Sequence, residues 1–366
     1  MRRWGWIFAI IFALCGVARA QWEILSSGAT ADLRGIDNVG AGVVWASGNG
    51  GAVLRSTDNG ATWQRCATPP DAEKLDFRGI QAFDAETAIV MSSGKGDLSR
   101  LYKTTDGCKS WKLEFTNPDK DGFWDAMLLN RFDKDGYLLG DPVNNSFRLW
   151  TTDDKGATWQ SDWQGADWKR TAWKGLGALP DEGAFAASNS VLLLDERYAV
   201  GFVTGGSAGG RLILGDNANA GSRFHAVNLP LRTGSATSGA YSIASRDYGG
   251  LIVVGGDYLK PNGSSGTAAY SADGGEHWLP AQTPPHGYRS AVAYDAETKT
   301  WITVGPNGTD ISTDDGRNWR ALRPNSALGE AADADRDWNA LSLPFVVGPH
   351  GRIGRLYSQA LHPMAH

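Results

Sequence analysis

An aspartate in the stretch STDNGATW, residues 56–63, has neighbours that several kinds of chemistry use. Asp58 could be a catalytic acid, a calcium ligand or the centre of a tight turn. The same spacing of Ser or Thr, Asp, Gly and Trp occurs at 152–159, 271–278 and 312–319, and a looser copy lies at 104–111. The five repeated acids are Asp58, Asp106, Asp154, Asp273 and Asp314.

Repetition argues against catalysis at these acids, because a chain does not need five copies of one catalytic group at regular spacing. Calcium is also disfavoured, since each copy lacks the further carboxylates and the distal Glu of a calcium loop. A short Asp side chain instead accepts hydrogen bonds from its own turn, and Gly supplies a positive φ angle. The Trp then anchors the next strand in the core. We therefore predict five structural turns, called the aspartate turns below.

The aspartate turns belong to a larger repeat of about 40–60 residues, the length of a four-stranded propeller blade. Each unit has an opening segment and a β-rich run that often ends in Gly or Gly-Pro, and then an apolar run, which precedes the aspartate turn in the units that have one. The opening segments are 33–39, 77–83, 123–129, 183–189, 240–246, 288–294 and 338–344. The seven units predict an all-β fold, a seven-bladed β-propeller.

The two ends of the chain fit a closed ring. The last unit supplies three strands, and residues 21–27, QWEILSS, resemble the strand that follows an aspartate turn. We expect this N-terminal strand to become the outer strand of blade seven, which would remove an unpaired sheet edge. The predicted organisation is one propeller domain at 21–357, with a C-terminal tail at 358–366.

The N-terminus is typical of an export signal. Arg2 and Arg3 precede the apolar run WGWIFAIIFALCGV, and ARA at 18–20 is an Ala-x-Ala cleavage site. We expect a signal peptide at 1–20 that is cleaved after Ala20, and a protein of the periplasm or the exterior. A membrane anchor or a lipoprotein modified at Cys15 are the alternatives, and no later segment is predicted to span a membrane.

The net charge restricts the class of partner, and the cysteine content allows a disulfide. Removing residues 1–20 takes away three Arg and no acid, which changes the formal net charge from −5 to −8. This acidic balance argues against a general nucleic-acid partner. In an exported chain Cys66 and Cys108 could form a disulfide between neighbouring blades, or they could be two free buried thiols.

The aspartate turns resemble the Asp-box (BNR) repeat of sialidases and sortilin-type receptors. The unit LRGI…VVWASGNGGAVLRSTDNGATW is similar to the photosystem II assembly and stability factor family, whose members are propeller proteins. The resemblance extends over nearly all of 21–357. It implies that an arginine-rich patch on the propeller contacts a partner protein, with Arg34, Arg78 and Arg289 as the matching candidates, although fold alone does not define function.

Channel-facing residues are the candidate binding site, because the first strand of each propeller blade lines the central channel. The residues in register are Arg34, Arg78, Asp125, Ser188, Ser242, Arg289 and Asn339. Converging arginines predict a carboxylate or another anion as partner, or else internal ties to Asp125 and Glu182. The preferred interpretation is a monomeric, non-catalytic propeller that binds a protein or an anionic ligand through Arg34, Arg78, Asp125, Arg289 and Asn339.

The enzymatic alternative is a sialidase-type glycoside hydrolase. It would use the three arginines, Tyr258 as nucleophile, Glu182 as its partner, and Asp125 or Asp141 as acid and base. The Phe/Tyr-Arg-Ile-Pro signature is missing, since the chain has LRGI and FRGI. A two-carboxylate glycosidase using Asp125 and Asp257 is a further alternative.

Metal and cofactor motifs are not evident in the sequence. The six His show neither His-x-His nor His-Glu-x-x-His spacing, and no Gly-x-Gly-x-x-Gly leads from a strand into a helix. We therefore predict no metal and no cofactor.

Overall fold

Seven antiparallel sheets of four strands account for nearly all regular structure in the part of the chain that the computed structural model describes, which is residues 20–161, 177–195, 198–216, 224–358 and Leu361. The expected signal peptide, Ala20 excepted, lies outside these residues, as do most of the expected tail and residues 162–176. Three short 3-10 helices are described, Gly96–Leu98, Asp247–Gly249 and Ser326–Leu328. No helix among the described residues is long and apolar enough to span a membrane.

The first three blades follow one another along the chain. Blade 1 is β2 (Leu33–Gly40), β3 (Val43–Gly48), β4 (Ala52–Ser56) and β5 (Gln64–Arg65). Blade 2 is β6 (Phe77–Ala82), β7 (Ala88–Ser92), β8 (Arg100–Thr104) and β9 (Lys112–Thr116). Blade 3 is β10 (Trp124–Leu129), β11 (Gly136–Val143), β12 (Ser146–Thr152) and β13 (Gln160–Ser161).

The remaining blades repeat this order, and the last one takes its fourth strand from the N-terminus. Blade 4 is β14 (Leu192–Asp195), β15 (Tyr198–Val203), β16 (Arg211–Asp216) and β17 (Phe224–Asn228). Blade 5 is β18 (Ser238–Arg246), β19 (Gly250–Asp257), β20 (Ala268–Ser271) and β21 (Leu279–Pro280). Blade 6 is β22 (Ala291–Asp295), β23 (Thr300–Gly305), β24 (Gly308–Ser312) and β25 (Arg320–Ala321). Blade 7 is β26 (Ala340–Ser342), β27 (Phe345–Val347), β28 (Ile353–Leu356) and β1 (Trp22–Leu25).

The first strands of the seven blades surround a central channel, because β2, β6, β10, β14, β18, β22 and β26 contact one another in succession and β26 contacts β2. The second strands are buried on both faces between neighbouring blades. All five residues of β7, AIVMS, are buried, which explains why this strand is a continuous apolar run and does not alternate. The predicted seven-bladed propeller is confirmed.

Ring closure by the N-terminal strand is also confirmed. β1 pairs antiparallel with β28, with Trp22 opposite Leu356 and Leu25 opposite Ile353. The buried Trp22 ring stacks on Trp338 with 6.0 Å between ring centroids. Backbone pairing and aromatic burial therefore act together at the point where the two ends of the chain meet.

The aspartate turns share one hydrogen-bond pattern. Asp58 Oδ1 accepts from Ser56 Oγ at 2.8 Å and from the Thr62 backbone N–H at 2.9 Å, and Asp58 Oδ2 accepts from Thr62 Oγ1 at 2.6 Å. Asp106, Asp154, Asp273 and Asp314 accept equivalent bonds from the residues two before and four after them. These bonds favour the ionised form, and those from Ser110 are the main reason why the pKa of Asp106 is lowered to about 2.

A disulfide joins Cys66, just after β5 of blade 1, to Cys108 in the aspartate turn of blade 2. Cys108 has a φ angle of 62° and occupies the position that Gly60 and Gly156 fill in two other turns, at φ angles of 81° and 77°. This non-glycine residue therefore takes a left-handed conformation and also provides a covalent tie between two blades. The alternative of two free thiols does not hold in the structure.

The fourth unit differs from the prediction. Its opening segment was expected at 183–189, but the first strand of blade 4 is β14, which begins at Leu192. Residues 183–190, called the channel segment below, form no regular strand. Their side chains and carbonyls bond to several blades, which is the physical reason why the segment does not pair as an ordinary first strand.

Candidate functional site

A cavity of about 1050 Å³ opens at the end of the channel where β2, β6 and β10 begin. The residues proposed from the sequence that line it include Arg34, Arg78, Asp125, Asn339 and Tyr258. Glu182 and Asp141 line it as well. The first residues of the inner strands therefore converge on one site, and residues that are distant in sequence become neighbours.

The channel segment forms part of the cavity wall and crosses the channel. Asn189 bonds to Met127 of blade 3, accepting from its N–H at 2.8 Å and donating to its carbonyl at 3.0 Å. Ser190 donates to Ser242 of blade 5 at 2.7 Å. Two further bonds join Ser188 to the Ser290 carbonyl just before blade 6, at 2.7 Å, and Ala186 to Arg78 of blade 2, at 3.2 Å. Contacts with four blades fix the segment inside the ring.

Glu182 holds the channel segment at its N-terminal end. Its Oε1 accepts from Thr204 Oγ1 at 2.6 Å and from Arg211 Nε at 2.8 Å, and its Oε2 accepts from Arg211 Nη2 at 2.6 Å and from the Leu179 N–H at 2.7 Å. The carboxylate is buried, paired and fully hydrogen bonded. Glu182 thus positions the cavity wall, and no lone pair is left on it for a substrate.

An aromatic cluster borders the cavity beside the channel segment. Phe185 stacks on Tyr241 with 4.0 Å between ring centroids, and Tyr241 makes edge contacts with Tyr288 at 4.8 Å and Tyr258 at 6.4 Å. Burial raises the pKa of both Tyr241 and Tyr288, so these phenols stay neutral. Tyr258 is 49% exposed and presents its ring at the cavity mouth.

Two arginines on the wall are held differently. Arg78 donates from Nε to Asp76 at 2.7 Å and from Nη1 to the Ala186 carbonyl at 3.2 Å, so part of its hydrogen-bonding capacity is used within the protein. Arg34, by contrast, makes no hydrogen bond or ion pair with any part of the chain that the structure describes. Asn339 donates to the Leu33 carbonyl at 2.8 Å. Arg34 therefore has a guanidinium available for a ligand.

Asp125 and Asp141 are the carboxyl groups of the cavity. Asp125 is 1% exposed, and neither of its carboxyl oxygens has a hydrogen-bond partner. Burial and the neighbouring Asp141 raise the pKa of Asp125 well above its usual range, against the effect of Arg78. Asp141 Oδ1 accepts from the Ala184 N–H at 3.1 Å, and burial raises the pKa of Asp141 to about 6.

Arg289 is the candidate that the structure does not bring to the cavity. It is 0% exposed, and its Nε donates to Asp310 at 2.9 Å while its Nη1 donates to Asn307 Oδ1 at 2.6 Å and to the Tyr288 carbonyl at 2.7 Å. Arg289 precedes β22 by two residues, so it turns inward as a tie between loops. The expected set of three converging arginines is therefore reduced to Arg34 and Arg78.

Other expected groups are also dispersed. Asp257 accepts from Thr237 at 2.7 Å and from the Leu259 N–H at 3.1 Å, and it lies outside the cavity lining. No group of three His, Cys, Asp or Glu that could hold a metal occurs among the described residues. Tyr258 of the aromatic cluster is among the residues proposed from the sequence. Phe185, Tyr241 and Tyr288 are not, because they lie in segments that are predicted as strands, where an aromatic residue is ordinary.

The fold and the cavity define this chain as a seven-bladed β-propeller whose channel mouth combines arginine, carboxyl and aromatic groups. No protein-family model matches the sequence, and no curated protein matches it. Solved structures of similar fold include YCF48 bound to D1 peptide and YCF48 from Cyanidioschyzon merolae.

The first of these shares 16% identity and a TM-score of 0.59, over 92% of this chain and 96% of that one. The second shares 15% identity and a TM-score of 0.59, over 93% of this chain and 100% of that one. An ancestral GH74 enzyme shares 13% identity and a TM-score of 0.53, over 84% of this chain but only 40% of that one. At these identities the likeness is one of fold, a propeller resembling YCF48.

Proposed function

We propose that this chain is an exported, non-catalytic propeller that binds a segment of a partner protein in the channel-mouth cavity, with Arg34 holding an acidic group of that segment. The supporting observation is Arg34, which lines the cavity and has no hydrogen bond or ion pair within the described chain. A guanidinium with free N–H groups pairs well with a carboxylate. Arg78, Asp125 and Asn339 complete the binding wall, whereas Arg289 serves only the fold.

The comparison with YCF48 supports this proposal at the level of size and architecture. The propeller that was solved with a D1 peptide matches nearly end to end, so a ring of this size is able to bind a peptide. By analogy, we infer an assembly-factor-like scaffold whose partner is a protein segment. The same proposal includes cleavage of the signal peptide after Ala20, a monomeric domain at 21–357, and assignment of the five aspartate turns to the Asp-box (BNR) type.

The sialidase alternative is not favoured, because its catalytic groups are not assembled. Glu182 is saturated by Arg211, Thr204 and the Leu179 N–H. Within the described residues Tyr258 makes no hydrogen bond to a Glu. Arg289 is buried against Asp310. A nucleophile, its activating carboxylate and three arginines around one pocket are all needed for that chemistry.

Peptide capture tests the proposal. The full chain is immobilised and offered two pools of acetylated, amidated octapeptides, which carry no terminal charges and differ only in a fixed central Glu or Gln. We expect preferential capture of the Glu pool, and a loss of about tenfold in Arg34→Gln, since one charge-assisted contact has roughly that effect. Added salt should weaken capture, because exposed charges are screened over about 8–10 Å.

The matched control is Arg65→Gln, which removes the same charge from exposed β5 on the outer edge of blade 1. It should leave capture unchanged, and both variants should melt like the parent. Equal capture of the two pools, or full capture by Arg34→Gln, would contradict the proposed site. Turnover of a sialoside or glycoside reporter by the parent, abolished by Tyr258→Phe, would show that the propeller is an enzyme.

A further inference from the structure

Asp125 is a buried carboxyl group that has no hydrogen-bond partner within the described part of the protein. Its carboxyl lies on the cavity wall, it is 1% exposed, and both oxygens lack any hydrogen bond. Buried polar groups in proteins are nearly always hydrogen bonded, and a buried carboxylate without compensation is costly. A group that contributes only to the fold would be expected to have an internal partner, as Glu182 and Asp310 do.

Asp141 lies in the same cavity and is close enough to influence Asp125 electrostatically. Its carboxyl oxygen Oδ1 accepts a hydrogen bond from the Ala184 N–H at 3.1 Å. Two neighbouring carboxyl groups in a partly dry site disfavour joint ionisation unless a positive charge lies near both. Such a pair therefore favours a ligand with a single positive charge and several N–H donors.

Neither arginine of the cavity wall hydrogen bonds to Asp125, whose two carboxyl oxygens are both without a partner in the described chain. Arg78, which also acts electrostatically on Asp125, donates to Asp76 and to the Ala186 carbonyl. Arg34 acts on Tyr288. A metal ion is not indicated, since among the described residues no three potential ligands come together.

Phe185 follows Ala184 directly, so the aromatic cluster borders the Asp141 contact and could pack against an alkyl stem or the face of a cation.

We infer that the cavity binds a lysine or arginine side chain of the partner segment between the carboxyl groups of Asp125 and Asp141. The inference rests on the proposed function and adds a second requirement for the segment: a basic residue as well as the acidic group held by Arg34. A segment with both an acidic and a basic residue would complement a wall that has arginines and carboxyl groups. A purely acidic segment would leave Asp125 without a partner.

The test adds two octapeptide pools, with central Lys or with norleucine, its uncharged near-isostere. We expect the full chain to capture the Lys pool about tenfold better than the norleucine pool, because a desolvated charge pair adds at least one such contact. Asp125→Asn and Asp141→Asn should each abolish that preference. The control is Asp133→Asn, which removes the same charge from an exposed residue just beyond the other end of β10.

The control separates a specific site from the general attraction of an acidic protein for basic peptides. Equal capture of the Lys and norleucine pools overturns the inference, and so does a Lys preference that survives in both Asp125→Asn and Asp141→Asn. Capture of the Glu pool through Arg34 is measured beside it, so the proposed function can stand while this inference fails. If the parent does not prefer the Glu pool, the proposed function is contradicted, whatever the result with the Lys pool.

A measurement on the unmodified chain covers the case in which a variant does not fold. Lowering the pH from about 8 to about 5 protonates carboxyl groups with raised pKa values and should lower Lys-pool capture. The charged groups that act on Asp125 are Asp141 and Arg78. Lys remains charged throughout this range, so a pH-independent Lys preference would contradict a role for the two carboxyl groups.

Discussion

Asp58 and Asp125 are the same residue type, yet their surroundings move their pKa values in opposite directions. Hydrogen bonds from Thr62 and Ser56 lower the pKa of Asp58 in its exposed turn. Burial and Asp141 raise the pKa of Asp125. The first aspartate contributes to the fold as an ionised group, whereas ionisation of the second opposes the fold. This contrast separates a structural acid from one that is available to a ligand.

The substitution Asp125→Asn should therefore stabilise the empty protein at neutral pH. The pKa of Asp125 is higher in the folded state than in the unfolded state, where it is near 4. Ionisation therefore begins to cost stability as the pH rises past the pKa of the unfolded state, and the full cost is reached above the pKa of the folded state. Removing the charge should increase the free energy of unfolding by roughly 1–3 kcal/mol at neutral pH. The gain should vanish at about pH 3, where both states hold the proton. Denaturant titrations at several pH values measure it.

Asp58→Asn is the matched control, and its effect on stability should have the opposite sign. The pKa of Asp58 is lower in the folded state than in the unfolded state, so its ionised form stabilises the fold above the pKa of the unfolded state, near 4. This contribution is lost as the pH falls through the pKa of the folded state. The control should therefore melt below the parent at neutral pH and approach it in acid. If Asp125→Asn also melts below the parent at neutral pH, Asp125 has an internal structural role and its unpaired state is not a binding feature.

At the scale of elements, the sequence predicts what local chemistry determines. The aspartate turns and the second strands follow from Gly, Asp and continuous apolar runs, and these segments lie where expected. The channel segment was not predictable in this way, because GAFAASN has strand-like composition and its conformation is set by Asn189 and Ser190 contacts with other blades. Arg289 also looks equivalent to Arg34 in register, but a shorter β22 turns it toward Asp310.

The disulfide is the element-scale tie that can be tested directly. Cys66 and Cys108 are 42 residues apart and close a loop that contains most of blade 2. In the chain-entropy account a bond of this kind restricts the unfolded chain, so replacing both cysteines by Ser should lower the free energy of unfolding by roughly 2–4 kcal/mol. Denaturant unfolding of the double variant measures this loss.

A reductant provides an independent check, because it should lower the melting temperature of the parent and leave the double variant unchanged. The single variant Cys66→Ser should behave like the double variant, since either change removes the bond. A parent that melts identically with and without reductant would show that the two blades are held by their packing alone.

For the whole molecule, closure connects the two ends of the chain to the geometry of the cavity. Its wall takes Arg34 from blade 1, Arg78 from blade 2, Asp125 from blade 3 and Asn339 from the start of blade 7. Asn339 donates to the Leu33 carbonyl, so the junction between the last and the first blade lies beside the site. The positions of these groups therefore depend on a closed ring, and a loss of closure should affect binding as well as stability.

Deleting residues 21–27 tests this dependence. The deletion removes β1, leaves the edge of β28 unpaired and exposes Trp338, on which Trp22 stacks. We expect a melting temperature lower by many degrees and aggregation through the open strand edge. Capture of the Glu pool should fall even in the soluble fraction, because the blade 7 side of the cavity is no longer fixed. A matched substitution, Ile24→Thr, changes a residue of β1 that is 42% exposed and should alter neither property. A truncated chain that melts and binds like the parent would show that the ring does not need its N-terminal strand.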